Sequence, residues 1–499
     1  MTEAEVHETR ATRTWASAPV FVLVGWVGLV AASLLIRQLH AVRLPEHLAY
    51  EVTPAYTLGG SDLVTVLVGL LVAAPLAALV WYDRRQPPRV APAVAATVLR
   101  WRPLIIGTTV GVGILTFLTL FRSLPDESEL DCPTSRVIHL NGAMGIVWNC
   151  DSSLFQEVSA HPSKLLEENH PRQARPTYAL VGWVLVQTVG RFSGLFGLGN
   201  WQGEDARPYL SLVLLNVLVL IAAAALFIRT LLPLGTPVLL AAALTVPVAF
   251  NHVTVEWTLT PHQQIFAMLV PVVTVLVTRR ALRDPPGWRT ALWWGLAVGL
   301  AANAYGSWLI AVPVIALALW QASRDRHGLV RAGAFVGGVV APLLAWMLLC
   351  KIVAGSYYNH EAVFYRQFVW VLDAAHQGPG ELWEHLSSYT LLWVRSLLGT
   401  RELWLAGAVL GAGVVVAVLR RVSLRPETPE ARATLWAVAV SGIVSLAFLW
   451  AIGYYTPRLS ITVLPLVLVA AGWVWSRALS APPRPLTGQI SVETPNSHR

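Results

Sequence analysis

The sequence predicts an all-α polytopic membrane protein with about twelve transmembrane helices. Of its 499 residues, 55% are hydrophobic and only 13% are charged, whereas soluble domains carry about 25% charged residues. The mean hydropathy is +0.57, and long apolar runs recur along the chain. A helix needs roughly 20 apolar residues to cross the hydrocarbon core, where an unpaired backbone is not tolerated.

The predicted spans fall into strong and weak apolar runs. The strong runs cover 19–36, 61–81, 103–121, 210–227, 332–350 and 403–419. The weaker runs cover 235–250, 262–277, 291–304 and 308–320, and two further runs at 434–450 and 461–475 close the series. Some weak runs are short enough to be re-entrant segments. The first run has no small-residue cleavage site after it, so we expect a retained helix rather than a signal peptide.

The arginine clusters predict the orientation of the chain. If the N-terminus is cytoplasmic, every cluster lies on the inner side of the membrane, in agreement with the positive-inside rule. The clusters are Arg84/Arg85, Arg279/Arg280/Arg283, Arg324/Arg326 and Arg420/Arg421. We therefore expect a plasma (inner) membrane protein with two long outer loops, 122–207 and 351–402. The net charge of +8 is not evidence for a nucleic-acid partner, and none is expected.

The two outer loops should carry the function, since loops this long are usually functional or disordered. The moderately apolar stretch 178–196 predicts a helix at the membrane interface; the alternative, another span, would place an arginine cluster on the outside. Cys132 and Cys150 could form a disulfide in an oxidising compartment. They could also remain free thiols, and Cys350 is a third candidate for pairing.

The first outer loop holds the strongest candidate for catalysis. Residues 149–162 read NCDSSLFQEVSAHP, and residues 170–180 read HPRQARPTYAL. An acidic residue opens an amphipathic helix there, with Phe155 and Val158 on its apolar side. Asp151 is well placed as the N-cap, and a capping role does not exclude a catalytic one.

These stretches resemble the class C glycosyltransferases, multi-span enzymes that use polyprenyl-phosphate sugars as donors. Asp151, Phe155 and Ala160 are similar to the family's acidic-aromatic-small helix in the first large outer loop, and Arg175-Pro176 to the step that follows it. The stretch 454–472, YYTPRLSITVLPLVLVAAG, resembles the late arginine at the outer mouth of a Pro-containing final helix.

The resemblance covers about residues 103–476, which it implies are a transmembrane core. Residues 1–102 would then be an N-terminal tail with two extra transmembrane helices. The tail 477–499 would be cytoplasmic, and its Pro, Ser and Thr content predicts disorder. Two departures concern metal binding: Ser152 stands where many members have a second acid, and the acid nearest to 260–264 is Glu256. The cofactor therefore stays open: a divalent metal is conceivable but is not indicated.

The resemblance implies the roles of the site residues. Asp151 would be the catalytic base that accepts the proton of an acceptor hydroxyl, and arginine would neutralise the phosphate that leaves. Arg458 is the first expected phosphate partner, and Arg366, Arg395 and Lys351 are weaker ones. The other expected substrate-binding residues are Arg175, Glu256, His262, Gln263, Tyr358 and His360. The alternatives are interfacial anchoring for the basic residues, a helix cap near His262 and ordered loop packing near Tyr358.

We therefore expect a hexosyl- or pentosyltransferase that moves a sugar from a polyprenyl-phosphate donor to an acceptor on the outer face, with inversion at the anomeric carbon. The acceptor could be an envelope glycan, a lipid or a protein. One alternative is a carrier or flippase for a lipid-linked substrate, although apart from Asp62 the predicted spans lack the charged residues typical of ion-coupled transporters. Another is a glycan polymerase or ligase with a diphosphate-linked donor.

Overall fold

The fold is known from a computed structural model. It describes residues 150–195 and 204–480, the short segments 136–141, 144–148 and 200–201, and Pro103, Ile106 and Gly107. The predicted spans 19–36 and 61–81, nearly all of 103–121, Asp62, Cys132 and most of the tail lie outside the described residues. The Cys132–Cys150 pairing therefore stays a prediction, and Cys350 is a buried free thiol.

The described chain is helical apart from two short antiparallel strand pairs in the first outer loop. β1 (Arg136–Asn141) pairs with β2 (Met144–Trp148), and Asn200–Trp201 pairs with Glu204–Asp205. The helices up to the middle of the chain are α1 (Cys150–Ala160), α2 (Pro176–Gln187), α3 (Val189–Leu195), α4 (Arg207–Leu231), α5 (Val238–Ala249), α6 (His252–Trp257), α7 (Leu269–Arg283), α8 (Trp288–Ala302) and α9 (Ala311–Gln321). The later helices are α10 (Arg326–Val353), α11 (His360–Val363), α12 (Trp370–Gln377), α13 (Pro379–Gly399), α14 (Arg401–Leu419), α15 (Pro429–Ile452), α16 (Pro457–Ser460) and α17 (Leu464–Ser480).

Six segments of the described chain are long and apolar enough to cross a membrane. They are Arg207–Leu234, Gln263–Arg283, Arg326–Val353, Arg401–Leu419, Pro429–Ile452 and Pro457–Leu479. Each coincides with a predicted run, so the membrane-spanning character of the chain is confirmed. The count of twelve is not: the runs 235–250, 291–304 and 308–320 form helices too short to be included among the six.

The bundle has an inner and an outer set of spans. In Pro457–Leu479, 72% of the most apolar window is buried inside the protein, whereas in Arg326–Val353 only 17% is. The core joins α4, α7, α15 and α17 through side chains such as Phe227, Val270 and Leu466. The exposed apolar faces of α10 and α14 would be stable only against lipid.

Two features near the outer loops differ from the expectation. α1 begins at Cys150, so Asp151 lies within its first turn instead of being the N-cap. The apolar stretch 178–196 is broken at Thr188 into α2 and α3, which are both too short to span. α17 also continues through Ser480, so the first residues of the expected tail are helical.

The two segments predicted as outer loops dock onto each other through Gln173. Its Nε2 donates to the carbonyl oxygens of Leu165 (3.2 Å) and Glu167 (3.3 Å) in the first loop. Its Oε1 accepts the backbone N–H of Tyr358 in the second loop at 2.5 Å. Its own carbonyl accepts Nε1–H of Trp346 on α10 at 2.7 Å. A fully buried amide with all these partners fixes the loops relative to one another.

Candidate functional site

A cavity of about 280 Å³ lies where the docked loops meet one end of the helical bundle. Its polar wall contains six residues that the sequence analysis singled out: Asp151, Arg175, His262, Gln263, His360 and Arg458. They come from α1, the loop before α2, the segment before α7, α11 and α16. The fold therefore gathers these residues from positions up to about 300 apart in sequence.

Asp151 is one of two carboxylates on the cavity wall, with Glu361, and its side chain is 44% exposed. Arg172 donates a hydrogen bond from Nη2 to Oδ1, and Nε2 of His262 lies 3.5 Å from Oδ2. Burial acts to raise the pKa of Asp151. The hydrogen bond from His262, with the charge and hydrogen bond of Arg172, outweighs burial and holds the pKa well below its usual range. Asp151 is therefore an ionised carboxylate at physiological pH.

His262 is held as a neutral imidazole. Its Nδ1 accepts the backbone N–H of Gln264 at 3.0 Å, which caps the helical segment that starts at Gln263. The proton of the neutral ring is thus on Nε2, directed at Asp151. Burial lowers the pKa of His262 to about 4, although the neighbouring carboxylate of Asp151 opposes the shift. The ring is a hydrogen-bond donor to Asp151 rather than a charged partner.

Arg172 is the main counter-ion of Asp151 and is almost fully buried. Its guanidinium lies 4.6 Å from the ring centroid of Phe155, within the range of a cation–π contact. Its Nε is buried without a hydrogen-bond acceptor among the described residues. Arg172 lies in the HPRQARP stretch, but only the second arginine of that stretch, Arg175, was expected to bind substrate. The sequence did contain a signal for this residue, since Arg172 and Arg175 both lie within a few residues of Pro176.

Arg458 lines the same cavity as Asp151. Its Nη2 donates to the hydroxyl of Tyr454 at 3.1 Å, and its backbone carbonyl accepts Nε2–H of Gln264 at 3.0 Å. No carboxylate pairs with it within the described part of the chain. Its positive charge is therefore available to an anionic ligand.

Gln263 is a buried amide on the cavity wall whose hydrogen-bonding capacity is unused. The residue is fully buried, and neither Nε2 nor Oε1 has a partner among the described residues. Buried polar groups in folded proteins are nearly always hydrogen-bonded. An amide offers donor and acceptor together, which suits the hydroxyl groups of a sugar.

Arg175 and His360 belong to a polar group that links the two outer loops. Nη2 of Arg175 lies 2.5 Å from Oε1 of Glu361. Nδ1 of His360 lies 3.1 Å from the hydroxyl of Tyr358, and the ring stacks on Phe364 with centroids 5.1 Å apart. Burial lowers the pKa of His360. Arg175 thus has a carboxylate partner, which Arg458 lacks.

Part of the cavity lining is apolar. It includes Leu309, Leu343 on α10, Phe368, and Phe448 and Ile452 on α15. The rings of Phe368 and Phe448 are 5.3 Å apart at a steep angle. Because α10 and α15 are membrane-spanning candidates, this wall is continuous with surfaces suited to lipid. A ligand that fits both walls would have a polar head and an apolar tail.

Several expected site residues lie outside the cavity lining. Arg366 is exposed and pairs with Asp373, with Nε and Oδ2 2.9 Å apart, and Glu256 is exposed on α6. Tyr358 reaches the cavity only through His360. Arg395 and Lys351 are exposed and do not line it.

Further polar residues complete the cavity wall outside the set of expected site residues. They are Arg172, Gln264, Asn303, Tyr305, Ser307, Tyr357, Asn359, Glu361, Tyr365, Gln367 and Tyr454. No group of three or more His, Cys, Asp or Glu side chains that could hold a metal occurs in the described segments.

No protein-family model matches the chain, and the comparisons with curated proteins and with solved structures find no match either.

Proposed function

We propose that the protein is an integral membrane glycosyltransferase. It would transfer a sugar from a polyprenyl-phosphate donor to an acceptor hydroxyl on the outer face of the plasma membrane, with inversion of the anomeric centre. The observation that carries the proposal is a single cavity with an ionised carboxylate, an arginine without a carboxylate partner and an apolar wall. These three elements match the acceptor hydroxyl, the phosphate and the lipid of such a reaction.

The reaction needs one base and one anion-binding group. The acceptor oxygen bonds to the anomeric carbon while the bond from that carbon to the phosphate oxygen breaks. The electron pair of that bond leaves on the polyprenyl phosphate, and the acceptor proton goes to a carboxylate oxygen of Asp151. Attack from the face opposite the leaving group inverts the anomeric centre.

The low pKa of Asp151 is compatible with this role. A weakly basic carboxylate would not deprotonate a free hydroxyl, but the proton becomes strongly acidic as the oxygen bonds to carbon. Asp151 is ionised before the substrates bind, so no prior deprotonation is needed. The Nε2–H of His262 orients the carboxylate, and Arg172 keeps it charged.

The remaining polar residues would bind the donor. Arg458 would pair with the departing phosphate, and the amide of Gln263 would hydrogen-bond to the sugar hydroxyls. A cavity of about 280 Å³ is near the lower end of the range for small-molecule sites, so it suits the sugar phosphate alone. The polyprenyl chain would lie along the apolar wall formed by Phe368, Phe448 and Ile452.

The direct test is a donor screen with the purified protein in lipid nanodiscs. A panel of polyprenyl-phosphate sugars is offered with envelope-derived acceptors, and free polyprenyl phosphate and glycosylated product are measured. We expect one donor to be consumed only when an acceptor is present, with inverted configuration in the product. If only a diphosphate-linked donor is consumed, the protein is a polymerase or ligase. If the intact lipid-linked sugar moves across the vesicle membrane and is not cleaved, the protein is a carrier.

A variant pair tests the phosphate-binding role of Arg458. Arg458→Ala should reduce kcat/KM for the donor by about 10–100-fold, because a charge-assisted contact to phosphate is lost. Arg458→Lys should restore only part of it, since the planar paired geometry of arginine is absent. Arg395→Ala, at an exposed arginine outside the cavity, is the matched control and should behave as wild type. Unchanged donor use by Arg458→Ala would reduce that residue to an interfacial anchor.

A further inference from the structure

A second cavity, of about 680 Å³, lies far from Asp151. Its arginines on α7 are 16 to 20 residues beyond Gln263, at the other end of the membrane-spanning segment Gln263–Arg283. A helical segment of this length extends about 30 Å, the thickness of the hydrocarbon core. The cavity therefore lies at the opposite membrane face from the Asp151 cavity, and the proposed transfer reaction does not use it.

Four arginines and two acids line this second cavity. Arg280 pairs with Asp284, and Nη1 of Arg283 lies 2.9 Å from Oε1 of Glu430. Arg229 on α4 and Arg279 on α7 complete the set, and neither has a carboxylate partner in the described chain. Among the described residues, the cavity is therefore lined by two more basic than acidic side chains.

Arg279 is the residue that indicates a ligand. Its Nη1 is buried and has no hydrogen-bond acceptor among the described residues, and an unsatisfied buried donor of this kind is unfavourable. The positive-inside rule accounts for arginines near the inner end of a span. It does not account for a buried guanidinium nitrogen without an acceptor beside a second unpaired arginine. An oxyanion with several acceptor oxygens would satisfy both side chains.

The other lining residues decide the kind of anion. Leu226, Val273, Leu276 and Val277 extend from the arginines along α4 and α7 towards the middle of the membrane, and Trp294 closes one side. A soluble anion would gain nothing from such a wall, whereas an acyl chain would. Tryptophan is also enriched at the level of lipid headgroups. We infer that this cavity binds an anionic phospholipid, with its phosphate between Arg229 and Arg279 and an acyl chain against the apolar residues.

Thermal unfolding of the detergent-purified full chain tests the inference. The protein is titrated with phosphatidylglycerol, with zwitterionic phosphatidylcholine and with inorganic phosphate, and the midpoint of unfolding is followed. A ligand that binds the folded state raises this midpoint in a concentration-dependent way. We expect phosphatidylglycerol to raise it and the other two ligands to have no comparable effect.

Charge-removing variants locate the effect. Each basic residue near an anionic lipid contributes about fivefold in affinity. The double variant Arg229→Gln/Arg279→Gln should therefore need about 30-fold more phosphatidylglycerol to reach half of the maximal shift in the unfolding midpoint. Arg289→Gln is the control: Arg289 is exposed at the same end of the bundle and lies outside the cavity lining. It should respond as wild type. If the double variant does not fold, Arg229→Gln alone, at an exposed position, should still lose about fivefold.

Three results would overturn the inference. A wild-type response of the charge-removing variants would show that the arginines do not bind the lipid. An equal response to phosphatidylcholine would show that the negative charge is irrelevant. An equal response to inorganic phosphate would assign the cavity to a soluble anion instead of a lipid.

Discussion

The contact between Asp151 and the nearly buried Arg172 determines how an Asp151 variant should behave. Asp151→Asn removes the proton acceptor, and loss of a general base typically lowers a rate by 10²–10⁴-fold. It also leaves the guanidinium of Arg172 without its carboxylate, and an uncompensated buried charge is destabilising. We therefore expect a lower melting temperature together with a loss of transfer that remains after normalisation to the amount of folded protein.

A second carboxylate on the same helix supplies the control. Glu157 pairs with Lys164 away from the cavity, so Glu157→Gln also removes one carboxylate of an ion pair from α1. Its turnover per folded molecule should equal that of wild type. Normal turnover of folded Asp151→Asn would remove Asp151 as the base and leave it only a structural role beside Arg172.

The pKa of His262 predicts how stability depends on pH. Because burial lowers this pKa from about 6.5 to about 4, folding favours the neutral ring. The resulting stabilisation is complete above pH 6.5 and is lost as the pH falls towards 4. His170 and His360 also have lowered pKa values through burial, so His262 accounts for only part of the loss.

Melting temperatures measured between pH 7.5 and 4.5 test this dependence. His262→Gln should reduce the fall in stability over this range by roughly 1–3 kcal/mol, whereas replacement of the exposed His376 should not change it. In the pH profile of kcat/KM, the fall on the acid side should not have its midpoint near pH 6.5. Neither Asp151 nor His262 titrates at that pH in the free enzyme. A limb near 6.5 that disappears in His262→Gln would show that the ring is charged when it meets Asp151.

At the scale of elements, α8 and α10 approach each other through glycines. A Cβ added at Gly338 would lie 2.4 Å from the carbonyl oxygen of Leu292, and one at Gly295 would lie 2.0 Å from that of Phe335. Small residues allow the backbones of membrane helices to pack this closely. The neighbouring Gly337 has open space around it, which makes a matched pair of substitutions on one helix.

Gly338→Ala should separate α8 from α10 and lower the free energy of unfolding by roughly 1–3 kcal/mol, the usual cost of overpacking. Gly337→Ala should be neutral or slightly stabilising, because alanine has the higher helix propensity. Thermal unfolding of both variants in the same detergent measures the difference. Equal midpoints would show that the helices do not depend on this close contact.

The elements that the sequence predicted well are those in which local composition suffices. The long segment Arg207–Leu234 has enough apolar residues to define a span without any knowledge of its neighbours. The run 235–250 is not confirmed as a span, because the helix within it is only Val238–Ala249, which also contains Pro247. Its length is set by the chain reversals around it, which hydropathy does not report.

The candidate site shows the same limit at individual residues. The sequence names both Arg366 and Arg458 as phosphate partners, with Arg458 ranked first, but it does not show what either side chain contacts. Only the fold shows that Arg366 pairs with Asp373, while Arg458 faces the cavity without a carboxylate. The pairing of Asp151 with Arg172 was likewise inaccessible, because it depends on how the chain turns between α1 and α2.

On the scale of the whole molecule, the two cavities occupy opposite ends of one helical bundle. The Asp151 cavity lies at the end of Gln263–Arg283 that is covered by the docked outer loops, and the arginine cavity lies at the other end. This arrangement is what a reaction on one face and a lipid contact on the other would require. The side of the membrane on which each cavity lies can be measured.

Cysteine labelling on intact cells measures it. Glu168 and Arg289 are both exposed, Glu168 in the first outer loop and Arg289 at the opposite end of the bundle. Because the arginine clusters belong on the cytoplasmic side, Glu168→Cys should react with an impermeant thiol reagent and Arg289→Cys should react only after permeabilisation. The wild-type chain gives the background from its own cysteines. Labelling in the reverse order would place Asp151 on the cytoplasmic side, where the proposed transfer to an outer acceptor could not take place.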